Sequence, residues 1–162
     1  MQRILITIVA LSMCSCLGKR TPSSEKVTEP TLEMESMVLE SGEYSGIFTL
    51  QNLCIQSEED WEKCWKNIHS QSIPVPKLPV INFEKYILIA CFMGSQNSGG
   101  YSINIDQVVT DGEGLRVRVL HTTPGKNCIR TMAMTQPYIV IRMAKPAKAD
   151  CQFEIVEKVL NC

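Results

Sequence analysis

The chain has 162 residues, 16 basic and 17 acidic, and a formal net charge of −1. So balanced a charge, with no basic stripe and no interleaving of aromatics with arginine, excludes nucleic acid as an expected partner. The size suits one core and one domain.

Arg3 and a run of Ile, Leu, Val and Ala from Ile4 to Met13 precede Cys14-Ser15-Cys16. That run is shorter than the roughly 20 apolar residues a bilayer span needs, and it has the length of a signal-peptide core. A cut after a small residue favours Ser15–Cys16 over Met13–Cys14. The reading is therefore a lipoprotein signal peptide over residues 1–15, with Cys16 the diacylated (palmitate-bearing) N-terminus and Cys14 the fallback. Lipid would then be the only membrane contact, holding the protein in the cell envelope at the outer membrane, the periplasmic face or the cell surface.

Residues 17–41 are rich in Ser, Thr, Pro, Glu and Lys and read as a flexible tether stiffened by Pro22 and Pro30. Together with Cys16 they form the segment 16–41. Within it, residues 32–39 are apolar enough to dock on the domain. The domain itself is expected over residues 42–162. Residues 44–50 read as a strand and residues 52–55 as a second, short one. Ser57 then has the character of a helix N-cap, and Asp60 follows at capping-box spacing. Glu58, Glu59 and Asp60 suit the positive end of the helix dipole, while Lys63, Lys66 and His69 lie toward the other end. Glu59–Lys63 and Glu62–Lys66 are favourable i,i+4 pairs. Trp61, Cys64, Trp65 and Ile68 make one apolar stripe, which assigns both tryptophans to the core.

Pro74, Pro76 and Pro79 forbid helix and predict an extended crossover whose apolar residues, Ile73, Val75, Leu78 and Val80, pack on the domain edge. Residues 87–93 are continuously apolar, as in a strand covered on both faces. A loop over residues 94–100 leads to Tyr101, Ile103 and Ile105, which alternate with polar residues. The parity then breaks at Asp106–Gln107, predicting a bulge. Asp111-Gly112-Glu113-Gly114 is a turn, and Leu115, Val117 and Val119 alternate with Arg116 and Arg118, completing a hairpin. Thr123 to Cys128 is a second loop. Residues 138–143 and 151–159 are the last two strands. The expected fold is α+β: about six mostly antiparallel strands in a curled sheet, a sandwich or half-barrel, with one amphipathic helix.

Six cysteines follow the lipid site: Cys54, Cys64, Cys91, Cys128, Cys151 and Cys162. An even set in an exported chain points to disulfides, in a pairing that spacing leaves open. Cys91, inside an apolar strand, suits a buried free thiol. No CxxC pair exists, and His69 and His121 stand at no ligand spacing from a cysteine, so no metal or other cofactor is expected.

Catalysis finds little footing. Ser95 and Ser98 lie between strands, not on a strand-to-helix elbow. His121 continues the apolar face of Leu115, Val117 and Val119, and suits a buried histidine better than a base. Asp106, Asp111 and Glu113 are scattered, and no phosphate-binding glycine pattern occurs. The expectation is a protein that is not an enzyme. The prominent feature is Gly99-Gly100 before Tyr101: glycines allow close backbone approach and tyrosine is an anchor suited to interfaces.

Several segments together carry a resemblance: Glu59-Asp60-Trp61 with Trp65, Asn82-Phe83, Gly94, Ser98-Gly99-Gly100-Tyr101-Ser102-Ile103, Thr123-Pro124-Gly125 and Thr135-Gln136-Pro137-Tyr138. In order and spacing, over about residues 57–146, they resemble the PrcB C-terminal domain family, with Gln96-Asn97-Ser98 where many members have a basic residue, proline and threonine. The resemblance implies an exported or lipid-anchored protein without catalysis, whose domain binds and stabilises an exported serine protease. The implied partner-binding residues are Ser98, Gly99, Gly100, Tyr101, Pro124, Gly125, Pro137 and Tyr138. A protease inhibitor using the Gly94–Tyr101 loop is the alternative, and a hydrolase the third.

Overall fold

A computed structural model describes residues 32–110 and 112–162. The expected signal peptide, Cys16 and most of the expected tether lie outside the described residues, as does Asp111 of the expected turn. Eight strands and one helix follow in the order β1 (Leu32–Glu33), β2 (Ser36–Gly42), β3 (Gln51–Ile55), α1 (Glu58–Ile68), β4 (Tyr86–Phe92), β5 (Ser102–Thr110), β6 (Leu115–Pro124), β7 (Tyr138–Ala144) and β8 (Cys151–Leu160). They build two four-stranded sheets, β1-β5-β6-β8 and β2-β7-β4-β3. The result is a sandwich, not a half-barrel, with the helix as a third layer.

Alternation along β4 and β7 explains the layering. Ile87, Ile89, Cys91, Ile139, Ile141 and Met143 face the first sheet and meet Ile103, Val108, Leu115, Val117 and Val119. Their neighbours Leu88, Ala90, Phe92, Tyr138 and Val140 face the other way, onto Trp61, Cys64, Trp65 and Ile68 of the helix. Both strands are buried on both faces, which is why residues 87–93 form an unbroken apolar run.

The helix starts as its cap predicts. Ser57 Oγ accepts from the Asp60 amide at 3.2 Å and donates to Asp60 Oδ2 at 2.7 Å. Glu62 and Lys66 pair at 2.7 Å. Trp61 and Trp65 pack edge to face with ring centroids 5.2 Å apart. Their buried indole N–H groups donate to the carbonyls of Pro79 (3.0 Å) and Pro76 (2.9 Å). The prolines have no N–H to donate, but their carbonyls satisfy the tryptophans the helix buries. Leu78 packs there, whereas Ile73, Val75 and Val80 are exposed, against the expectation that all four pack on the domain edge.

Three further expectations need correction. The domain is not confined to residues from Gly42 onward: β1 pairs with β5 and β2 with β7, so residues 32–41 belong to the sandwich and not to a tether. Residues 44–50 form no strand. Their backbone groups are used elsewhere: Gly46 N bonds Ile68 O at the helix end (2.8 Å), and Phe48 O accepts from Ser95 N (3.0 Å). Among the described residues there are eight strands, not about six. The pairing is mostly antiparallel, as expected; β6 and β8 alone among the described strand pairs run parallel, because the chain crosses to the other sheet as β7 before returning. The expected bulge is present between Ile105 and Gln107.

Among the described residues two disulfides form, Cys54–Cys151 and Cys128–Cys162. The first joins β3 to β8, the outermost strands of the two sheets, and staples one open side of the sandwich. The second fixes the chain end to the loop after β6. Of the remaining disulfide candidates, Cys64 and Cys91 are buried free thiols. Both lie in tightly packed apolar layers, where burial pushes each thiol up to about 12.

Candidate functional site

Three loops meet at one end of the sandwich: residues 43–50, 93–101 and 125–137. Backbone bonds join them. Gln96 and Thr135 exchange amide and carbonyl contacts (2.8 and 3.1 Å), Gly99 N donates to Thr131 O (3.1 Å), and Gln136 N donates to Glu43 O (2.7 Å). Thr135 Oγ1 donates to Ser98 O at 3.0 Å. The glycine-rich loop is thus a seam between its neighbours. Gly94 (φ +70°) lies so close to Phe48, Thr49 and Leu50 that a Cβ would stand 2.8–3.0 Å from their backbone, and a Cβ on Gly99 would collide with Thr131 Oγ1.

The residues implied as partner-binding fall into two groups. Ser98, Gly99, Pro124, Pro137 and Tyr138 are buried, and Tyr138 stacks on Phe92 at 6.2 Å between centroids. Gly100 is exposed, and Gly125 and Tyr101 are half-buried. Gly100 touches Pro124, and Tyr101, Pro137 and Tyr138 line one open cleft of about 200 Å³ with Ser41, Gly42, Glu43, Ser102 and Ile103. The structure therefore brings the implied set together at one end, with most members serving as the support of a surface. Burial and the Glu40 carboxylate, which accepts from its hydroxyl, push Tyr138 up to about 12.

The exposed side chains at that end are ones the sequence did not single out. Ile129 and Met132 are almost fully exposed, and Met134, Phe48, Leu50 and Tyr44 are more than half exposed. Lys126 and Arg130 stand among them. The loop over residues 126–134 is held by the Cys128–Cys162 bond and by Arg130 donating to Gly125 O at 3.0 Å. Neither periodicity nor motif marks these residues. The available signal was an apolar cluster, Ile129, Met132 and Met134, inside a segment with no strand pattern.

His121 lies between the sheets, 2 % exposed, with Nδ1 3.4 Å from Glu157 Oε1 and with Nε2 buried and unpartnered. Burial holds its pKa below the ordinary histidine value, partly opposed by Glu157. Neither His121 nor Ser95 nor Ser98 lines the cleft. Among the described residues, no group of three His, Cys, Asp or Glu side chains could hold a metal ion. No described helix is long and apolar enough to cross a membrane.

No curated protein and no solved structure matches the chain. Residues 87–144 match the family model described as PrcB C-terminal. The match runs from the start of β4 to the end of β7, so it covers β4, β5, β6 and β7, the two inner strands of each sheet. The helix motif and Asn82-Phe83 lie before it, and β8 lies after it. Through these inner four strands and the loops between them, the chain is similar to the PrcB C-terminal family.

Proposed function

We propose that this protein is a non-catalytic, lipid-anchored binding module of the bacterial envelope, an accessory subunit that docks on and stabilises an exported serine protease. One observation carries the reading. Within the family-matched segment, a disulfide-held loop presents Ile129, Met132 and Met134 to solvent beside the Gly94–Tyr101 seam. Exposed apolar side chains on a fixed backbone lose little conformational freedom on docking, which is what an interface anchor requires. The signal-like N-terminus and Cys16 supply the anchor and put the module beside exported proteins.

The inhibitor alternative takes a different form on this geometry. The Gly94–Tyr101 backbone is committed to Thr131 and Thr135, so the segment free to enter a protease cleft is residues 126–134. Purified exported serine protease with the full chain separates the readings. A stabiliser lengthens the protease's active lifetime, and an inhibitor lowers its activity in proportion to dose. Ile129→Asp with Met132→Asp should abolish either effect while leaving thermal stability unchanged. An undiminished effect would remove this loop from the interface. Radiolabelled palmitate incorporated by the wild type and lost in Cys16→Ser tests the anchor.

A further inference from the structure

Strand β8 is the outer strand of its sheet. It pairs with β6 on one side, and no described strand pairs with the other. This edge runs for 10 residues with no proline and no bulge, and exposes Ile155 (39 %), Val159 (58 %) and Leu160 (45 %). A long, regular edge with a row of unused N–H and C=O groups is a template for another strand, and proteins that stay monomeric usually blunt it. The opposite edge of the sandwich differs, since β1 and β2 wrap from one sheet to the other.

We propose that β8 pairs antiparallel with β8 of a second copy of this chain, about a two-fold axis at Val156, joining the two outer sheets into one. The order of side chains selects the partner and the register. A two-fold axis normal to the sheet places like faces opposite each other, so possible registers differ by the residue on the axis. Centred on Val156, Glu154 meets Lys158 of the other copy, twice by symmetry. Phe153 meets Val159, also twice, and Gln152 meets Leu160. Ile155 meets Glu157, whose carboxylate is already turned toward His121. Centred on Glu154, Glu157 or Lys158, a charge faces its own copy. Centred on Ile155, Glu154 faces Val156 and Glu157 faces Phe153. Val156 is thus the centre at which both charge pairs and both Phe153–Val159 pairs are satisfied together, the self-complementarity a symmetric interface needs. Backbone bonds along the edge supply the association, and these pairs fix its register.

The test uses the full chain in detergent, with sedimentation velocity over a range of concentrations. The wild type should form dimers. Lys158→Glu and Glu154→Lys should each weaken self-association by about tenfold or more, because each places like charges opposite one another twice. Mixing the two variants should restore association as a heterodimer, since each of the two cross-strand pairs then again joins one acidic and one basic side chain. That rescue also shows that both variants fold. Val156→Cys should give a disulfide-linked dimer on non-reducing gels. A wild type that stays monomeric at every concentration, including through occupation of the edge by residues of its own N-terminal segment, overturns the proposal. So do single reversals that leave association unchanged.

Discussion

Glu40 Oε1 lies 3.2 Å from Nε2 of His69, across the join between β2 and the end of the helix. Glu40 follows the register shift in β2, and the shift directs its carboxylate both to His69 and to the hydroxyl of Tyr138 on β7. His69 is the helix C-cap and packs on Trp65 at 4.2 Å between centroids. One carboxylate therefore ties an edge strand, an inner strand and the helix.

Removing that carboxylate should loosen β2 first. In Glu40→Ala, His69 and Tyr138 lose a half-buried partner, at a cost of about 1–3 kcal/mol. Glu40→Gln keeps the shape and an acceptor oxygen and should recover much of the loss. Urea midpoints measure the cost. Hydrogen exchange should show the amides of β2 losing protection before those of β4. Equal loss in both strands would mean that the carboxylate supports the whole core.

The Cys54–Cys151 bond spans 97 residues of sequence and joins strands of different sheets, whereas Cys128–Cys162 spans 34 and secures a chain end. Replacing the first pair by serine should cost about 2–4 kcal/mol, and replacing the second should cost less. Thermal midpoints of the two double variants give the ranking. Peptide mapping without reductant should recover these two linkages, with Cys64 and Cys91 unreactive to maleimide until the protein is unfolded.

The protein should lose stability in mild acid through His121. Burial holds its folded-state pKa below that of the unfolded chain. The unfolded state therefore takes up its proton first as pH falls through the ordinary histidine value near 6.5. Stability is full above that value and declines below it, until the folded pKa is passed. Glu157 opposes the shift, so Glu157→Gln should deepen the decline and His121→Leu should flatten it. Urea midpoints between pH 8 and pH 5 check both signs. An unchanged slope in His121→Leu would assign the decline to other groups.

Much of this architecture can be read in the chain because its cues are local. Ser57 caps the helix in the usual way, β4 is apolar throughout because both its faces are covered, and the Asp106–Gln107 parity break is a bulge. The misread segments are those whose partners are remote. Residues 44–50 alternate like a strand, yet their backbone is taken by the helix end and by Ser95. Residues 32–41 are polar enough to pass for a tether, yet they pair in both sheets. The parallel β6–β8 pair follows from a crossing of the sandwich, which no sequence period reports. The implied binding residues lie near one another, five of the eight of them buried: glycine and proline mark where chains approach closely, not which side chains face solvent.

Gly94 provides the sharpest test of that distinction. Its φ of +70° and its distance from the Thr49 and Leu50 backbone leave no room for a methyl group, and the neighbours are main chain, which yields less readily than a side chain. Gly94→Ala should therefore cost more than about 1 kcal/mol, the ordinary glycine-to-alanine scale. It should also disturb the seam on which residues 126–134 rest. Gly100 has φ +87° but meets only the Pro124 side chain, at 3.2 Å, so Gly100→Ala should be the milder change. If the end loops act as supports for a binding surface, Gly94→Ala weakens partner binding without itself being exposed, in step with its loss of stability. Comparing thermal midpoint and partner affinity for the two variants decides the matter. Gly100→Ala as the more damaging of the two for stability would show that the seam bears no such strain.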